Sequence, residues 1–214
     1  MPIINMVYKK KKWWKPWANT IAYYPLNSTY NFTDNSWNWY DLTVSNATIT
    51  TLNWVSCASY SGGRAYNTTP SVWSQRTLVA WFYNQTAWVL VWTGATQSWY
   101  YSIMMSNNWD KIQISDFYTT GYSSSSISSN SWHLWVAVVD WANMYIYVDW
   151  VLANSWTHSN TLNSTWVSAW GKPFTNQYTD YFSWYLSNVI IENKARTAQE
   201  VLNYYNLTKS NYWL

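Results

Sequence analysis

The sequence predicts an all-β protein, an antiparallel two-sheet sandwich followed by a short C-terminal helix, and three observations carry that prediction. Short apolar or alternating runs bounded by turn signals recur along the chain, the pattern of many brief strands. Charged residues make up only 10% of the 214 positions and aromatics 21%, with Asn, Ser and Thr filling much of the rest, which suits sheets and polar loops better than a helical bundle. One segment breaks the β pattern, because Thr197 and Glu200 stand at capping-box spacing ahead of a short apolar helix face.

In chain order, residues 1–19 form a basic lead whose Lys9, Lys10, Lys11, Lys12 and Lys15 hold most of the excess behind a net charge of +3. Interleaved with Trp13, Trp14, Pro16 and Trp17, such a run would suit an arm for nucleic acid or membrane. The reading adopted is a flexible leader or attachment arm, with no nucleic-acid partner and no membrane insertion, ahead of a folded domain over 20–214. Strands are predicted over 20–26, 41–49, 77–83, 88–92, 100–105, 111–114, 132–139, 144–148 and 185–192. Period two along 132–139 puts Trp132, Leu134, Val136 and Val138 on one face and His133, Trp135, Ala137 and Val139 on the other, so this strand reads as central. Ser123–Ser126 and Ser128–Ser131 form a serine-rich loop, and the helix is predicted over 198–205.

The turns between these strands hold tryptophan where backbone chemistry calls for glycine. Asp149-Trp150 follows the strand-like run 144–148, and a two-residue type I′ hairpin needs positive φ at both central residues, a region that favours Asp-Gly. Asp140-Trp141 and Asn108-Trp109 repeat the pattern, and the loop Asn35-Ser36-Trp37-Asn38-Trp39 becomes an ordinary polar loop with glycine at both tryptophans. With 21 tryptophans against five glycines, the reading adopted is a gene whose UGA codons specify glycine and are rendered here as tryptophan at eighteen positions, leaving Trp81, Trp132 and Trp135 as true tryptophans. The competing reading is a tryptophan-rich sugar binder.

These residues also resemble a family. Thr20-Ile21-Ala22-Tyr23-Tyr24-Pro25-Leu26, Asn35-Ser36-Trp37-Asn38, Thr77–Tyr83, Ser131-Trp132-His133, Val136–Asp140 and Met144–Leu152, with Ser183–Ile191 and the trailing helix, are together similar to the concanavalin A-like lectin/glucanase superfamily. The narrower resemblance is to laminin G-like and pentraxin-like jelly-roll domains, over about residues 20 to 206. It departs from the family at the turns, where Trp37, Trp141, Trp150 and Trp184 stand in place of glycine. The resemblance implies two antiparallel sheets in a jelly roll, with one concave face and rim loops that bind sugars, proteins or calcium.

The residue chemistry narrows the function. A retaining glucanase needs two carboxylates about 5 Å apart, and the only glutamates, Glu192 and Glu200, stand at a strand end and in the helix cap. A serine hydrolase would take His133 or His158 as its base, but His133 fits better as a sheet residue beside Trp132. The single cysteine, Cys57, excludes an internal disulfide and a cysteine-based metal cluster. No cofactor is required; calcium would draw on loop oxygens at Asp34, Asn35, Asp110, Asp116 and Asp180, each of which has an Asx turn as its alternative. Sugar recognition stacks pyranose rings on aromatic faces, so His133 and Trp135 on one strand and Tyr145 and Tyr147 on the next would line a groove if their faces match; packing into the sandwich is the competing reading.

The expectation is therefore a non-enzymatic binding or adhesion module, part of a phage virion or a bacterial surface structure, that recognises glycan or protein and forms a homo-oligomer if it assembles. The alternatives are a glycoside-active enzyme of the same fold and a purely structural capsid or fibre subunit. No secretory signal is evident in the first residues, which favours the virion over the extracellular or cell-surface location.

Overall fold

The computed structural model describes residues 18–67, 75–83, 88–93, 103–108, 111–115, 120–122, 126–157, 167–169 and 185–214. The basic run at 9–15, the Trp109 turn, His158, Trp184 and the calcium candidates Asp110, Asp116 and Asp180 lie outside these residues. The strands are β1 (Thr20–Tyr24), β2 (Thr43–Leu52), β3 (Val55–Asn67), β4 (Gln75–Tyr83), β5 (Trp88–Thr93), β6 (Ile103–Asn108) and β7 (Lys111–Ser115). They continue as β8 (Thr120–Tyr122), β9 (Trp132–Asp140), β10 (Asn143–Val148), β11 (Val151–Thr157), β12 (Val167–Ala169) and β13 (Tyr185–Glu192). Helix α1 (Ala198–Thr208) and a 3₁₀ turn (Lys209–Tyr212) follow.

Every pairing is antiparallel, and the strands follow one another in the order β11-β10-β9-β4-β13-β3-β12-β5-β6-β7-β8, with β1 beside β13 and β2 beside β3. Strand β13 joins the two layers of the sandwich: Leu186 sits opposite Phe82 of β4 and Ala58 of β3, while Val189 to Glu192 run beside β1. Between the layers, Ala58 and Tyr60 of β3 meet Leu78, Ala80 and Phe82 of β4 and Trp135, Ala137 and Val139 of β9 in one buried cluster. On the opposite face of β4 and β9, the residues Val79, Trp81, Leu134, Val136 and Val138 pack under Val201, Tyr204 and Tyr212 of the C-terminal segment. Strand β9 is buried on both faces, which is why its sequence is apolar at both parities.

The helix is fixed at both ends. The reciprocal capping box between Thr197 and Glu200 forms as its spacing predicts. Before it, the hydroxyl of Thr77 in β4 donates to the Lys194 carbonyl at 2.6 Å and accepts from the Arg196 amide at 3.0 Å. Arg196 forks onto Glu192 through Nε and Nη2, a buried bidentate pair. Burial pushes the Glu192 carboxyl up and the Arg196 guanidinium down, and each partner's charge opposes the other's shift. The helix runs past the predicted end at 205 to Thr208, whose hydroxyl donates to the Tyr204 carbonyl and accepts from the Trp81 indole at 3.2 Å.

Sequence reading missed β8, β11 and β12 and also β3, among the longest strands of the sheet. Ser56, Cys57, Ala58 and Ser59 are too small and polar to show a strand period, so Asn53-Trp54, of the same form as Asn108-Trp109, has no strand-like run after it to mark it as a hairpin turn. The turn is there nonetheless, with φ of 49° at Asn53 and 65° at Trp54, both positive as in type I′.

Backbone geometry divides the described tryptophans into two groups. Trp37, Trp39, Trp54, Trp141, Trp150 and Trp213 have φ between 55° and 78° and are 45–87% exposed. Asp149 and Trp150 are both positive, at 47° and 73°, as a type I′ turn requires. At Trp141 only the first central residue of the β9–β10 turn is positive, the pattern of type II′, whose usual residue there is glycine. By contrast Trp81, Trp132 and Trp135 lie in strands and are at most 3% exposed. Trp88 and Trp92 of β5 and Trp156 of β11, three of the positions read above as glycine, belong to neither group: all lie in strands without a positive φ, and Trp156 packs against the core.

Candidate functional site

The register of β9 with β10 decides whether His133, Trp135, Tyr145 and Tyr147 share a groove. Tyr145 sits opposite Val138 and Tyr147 opposite Val136, so both tyrosines take the face of Trp132 and Leu134. Trp135 faces the other way into the inter-layer core and is fully buried, while His133 shares its parity and is 7% exposed. The faces of the two strands do not match. The four residues therefore form no common groove, and packing accounts for Trp135 and for Tyr147, which is 6% exposed beneath the helical segment.

A groove of about 480 Å³ opens instead at the rim where the β2–β3 turn, the end of β4, the entry to β9 and the C-terminal turn converge. Its floor is aromatic. Tyr83 meets Trp132 edge-on at 5.6 Å between ring centres, and Trp132 meets Tyr212 at 5.2 Å. Tyr212 in turn stacks on Trp81 at 3.9 Å. Its hydroxyl donates to Ser187 at 3.1 Å and accepts from the Asn188 amide, and burial pushes it well above the usual tyrosine range. Asn53 reaches the Tyr83 hydroxyl at 3.3 Å from one lip, and Asn130 and Ser131 form another. Trp54 and Trp213 complete the walls, with the Trp213 indole donating to the Asn53 carbonyl at 3.2 Å.

Beneath Ser131 the structure gathers residues that the sequence holds apart. His133 Nδ1 lies 2.7 Å from Asp149 Oδ2, and Nε2 lies 2.9 Å from Ser131 Oγ. Nε2 also meets the Ser128 hydroxyl and carbonyl, both at 3.0 Å. Asp149 accepts the Leu134 amide at 2.8 Å through its other oxygen and returns its own amide to the Leu134 carbonyl. The order serine, histidine, aspartate is that of a hydrolase relay, but one ring nitrogen shared among three oxygens makes a clamp that holds loop 128–131 against the β10–β11 turn. The sequence signal for this partner was the Asp149 turn itself, 16 positions from His133.

Of the described calcium candidates, Asp34 has structural partners, and Asn35 donates its backbone amide to the Tyr23 carbonyl. Asp34 accepts the amides of Tyr23, Ser36 and Tyr40 at 2.8–3.0 Å and the Ser36 hydroxyl at 2.7 Å, so its carboxylate organises its own loop as the Asx-turn alternative requires. Among the described residues, no group of three His, Cys, Asp or Glu side chains is placed to hold a metal ion. Burial pushes the Cys57 thiol up to about 12, against a smaller lowering by the Leu52 backbone, which leaves it a protonated core residue. Among the described residues no helix is long and apolar enough to cross a membrane.

No protein-family model matches this chain, and no curated protein matches it in sequence. Solved structures share its fold. Domain 4 of AbnA, an extracellular GH43 arabinanase from Geobacillus stearothermophilus described in complex with arabinotriose, superposes with a TM-score of 0.68 at 12% identity over 86% of this chain and 97% of that one. The binding domain of botulinum neurotoxin serotype G gives 0.64 at 15% identity over 90% of this chain and 52% of that one. A Trypanosoma rangeli sialidase gives 0.68 at 15% identity over 92% of this chain. The chain thus spans about half the length of the toxin domain and about a third of the sialidase.

Proposed function

We propose that this protein is a carbohydrate-binding β-sandwich module whose ligand site is the rim groove between the β2–β3 turn and the C-terminal turn. The observation that carries the reading is the lining of that groove: a floor of the packed rings of Tyr83, Trp132 and Tyr212, each at most 7% exposed, the exposed indoles of Trp54 and Trp213 as walls, and the amides of Asn53 and Asn130 with the hydroxyl of Ser131 at its lips. Aromatic rings take the C–H face of a sugar while amides and hydroxyls fix its hydroxyl groups. A volume of about 480 Å³ is within the range of small-ligand sites. The sandwich it shares with domain 4 of the arabinanase, described with arabinotriose, and with toxin binding domains supports the reading. Glycan-array screening followed by calorimetry tests it, and the expected result is saturable binding that Asn53→Ala weakens.

The module is non-enzymatic in this reading, because no aspartate or glutamate side chain lines the groove among the described residues. Its place is an adhesion component of a phage virion or a bacterial surface structure, with the basic lead as the attachment arm. Virions or surface preparations from the source that lack the protein would overturn that placement. We also infer that glycine is the native residue at Trp37, Trp39, Trp54, Trp141, Trp150 and Trp213. What supports this is that all six occupy the left-handed region while their indoles are largely solvated, so the backbone strain meets little compensating burial. Intact-mass measurement on protein from the source organism separates the two residues at each site.

A further inference from the structure

We infer, building on the glycan reading of the rim groove, that this site selects neutral sugars and rejects acidic ones. The lining residues among those described supply aromatic faces, two primary amides, one serine hydroxyl and one aliphatic side chain, and none of them is lysine, arginine, aspartate or glutamate. A sialic acid, uronic acid or sulfate entering such a groove gives up water around its anion and finds no cation to replace it, a penalty that a neutral hexose or pentose does not meet.

The charges nearest to the lip stay outside the lining. His133 lies beneath Ser131 with its other nitrogen on Asp149, and neither His133 nor Asp149 lines the groove. Lys209, the basic residue of the C-terminal turn, turns instead over the Tyr205 ring at 5.3 Å from its centre and does not line the groove. Amide and hydroxyl groups that donate and accept are matched to neutral hydroxyls, and a site built on such groups discriminates through the partners it leaves unpaired.

The test is titration of the full chain, by calorimetry at physiological ionic strength, with matched pairs of oligosaccharides: neutral gluco-, galacto-, manno- and arabino-oligomers against uronic-acid, sialylated and sulfated counterparts. The expected result is neutral binding at least about tenfold tighter than acidic, the equivalent of one unpaired polar group. Binding of acidic members as tightly as neutral ones overturns the selectivity while leaving the glycan reading intact. Binding of neither class overturns the glycan reading itself. Asn130→Lys, at an exposed lip position, is expected to raise acidic-glycan affinity by about threefold or more and to weaken neutral binding, because it exchanges a lip amide for an ammonium. No gain for acidic ligands in that variant, with folding verified by circular dichroism, counts against a charge-based filter.

Discussion

The interior of the β4–β9 layer and its rim turns use the same amino acid in opposite ways. In the strands, Trp81 and Trp135 are fully buried in extended backbone, and the indole fills space that no smaller residue would. At the turns, Trp141 and Trp150 hold the backbone in the left-handed region while remaining 65% and 45% exposed. The comparison teaches that a residue's identity carries structural information only through its environment. Buried indoles mark the core, and solvated indoles at positive φ mark places where the backbone calls for glycine.

Breaking the interior side of the comparison has the largest effect. Trp135→Ala is expected to cost about 3–5 kcal/mol of stability through lost burial and a residual cavity, measured by the denaturant midpoint. Trp81→Ala falls in the same range of about 3–5 kcal/mol and also removes the ring that supports Tyr212, so near-ultraviolet dichroism should report a loosened C-terminal turn. A loss below about 1 kcal/mol at either site would contradict the packing described for them.

The clamp that joins interior to rim comes next. His133→Ala leaves the Asp149 carboxylate, the Ser131 hydroxyl and the Ser128 groups without their shared partner, and the expected cost is about 1–3 kcal/mol. Faster amide exchange across 128–131 and at Leu134 is the accompanying signature, since these amides and loops are tied through the same set.

Rim substitutions should move stability the other way. Trp150→Gly and Trp141→Gly each relieve a side chain held at positive φ and are expected to raise stability by about 0.5–1 kcal/mol. The two turns lie at opposite ends of β10, so their gains should add. A loss of stability in both variants would show that the exposed indoles make contacts worth more than the strain.

The smallest expected effect concerns the helix cap. Burial alone would raise the Glu200 carboxyl, but the Lys194 ammonium and the Thr197 donors outweigh it and hold the group below the usual glutamate range. A depressed carboxyl contributes stability above its unfolded pKa and loses it as pH falls through the folded value. Thermal melts should therefore fall slightly on acidification below the ordinary glutamate range, and Glu200→Gln, which preserves capping-box geometry, should flatten that part of the profile.

Much of the architecture was legible in the chain. The faces of 132–139 separate as their period indicates, Trp132 and Leu134 going to one cluster and Trp135 and Ala137 to the other. The helix begins at its capping box because that interaction is local and its partners are three residues apart. Strand β3 escaped notice because its burial comes from neighbours on both sides and not from its own alternation, which left the Asn53-Trp54 turn without a flanking strand pattern. The proposed site was the least legible part. Four aromatic and imidazole residues close in sequence looked like one groove, yet a register that pairs Tyr147 with Val136 puts them on two faces.

The sequence by itself determined the all-β class, the central strand, the capped helix and the turns at 141 and 150, since each depends on periodicity, a cap or a dihedral preference acting over a few residues. Tertiary structure alone decided that Asp149 and Ser131 meet at His133 and that Asn53, Tyr83, Trp132 and Tyr212 converge at one rim. Those residues come from segments up to 159 positions apart, and only sheet register and the docking of the C-terminal segment bring them within reach of a single ligand.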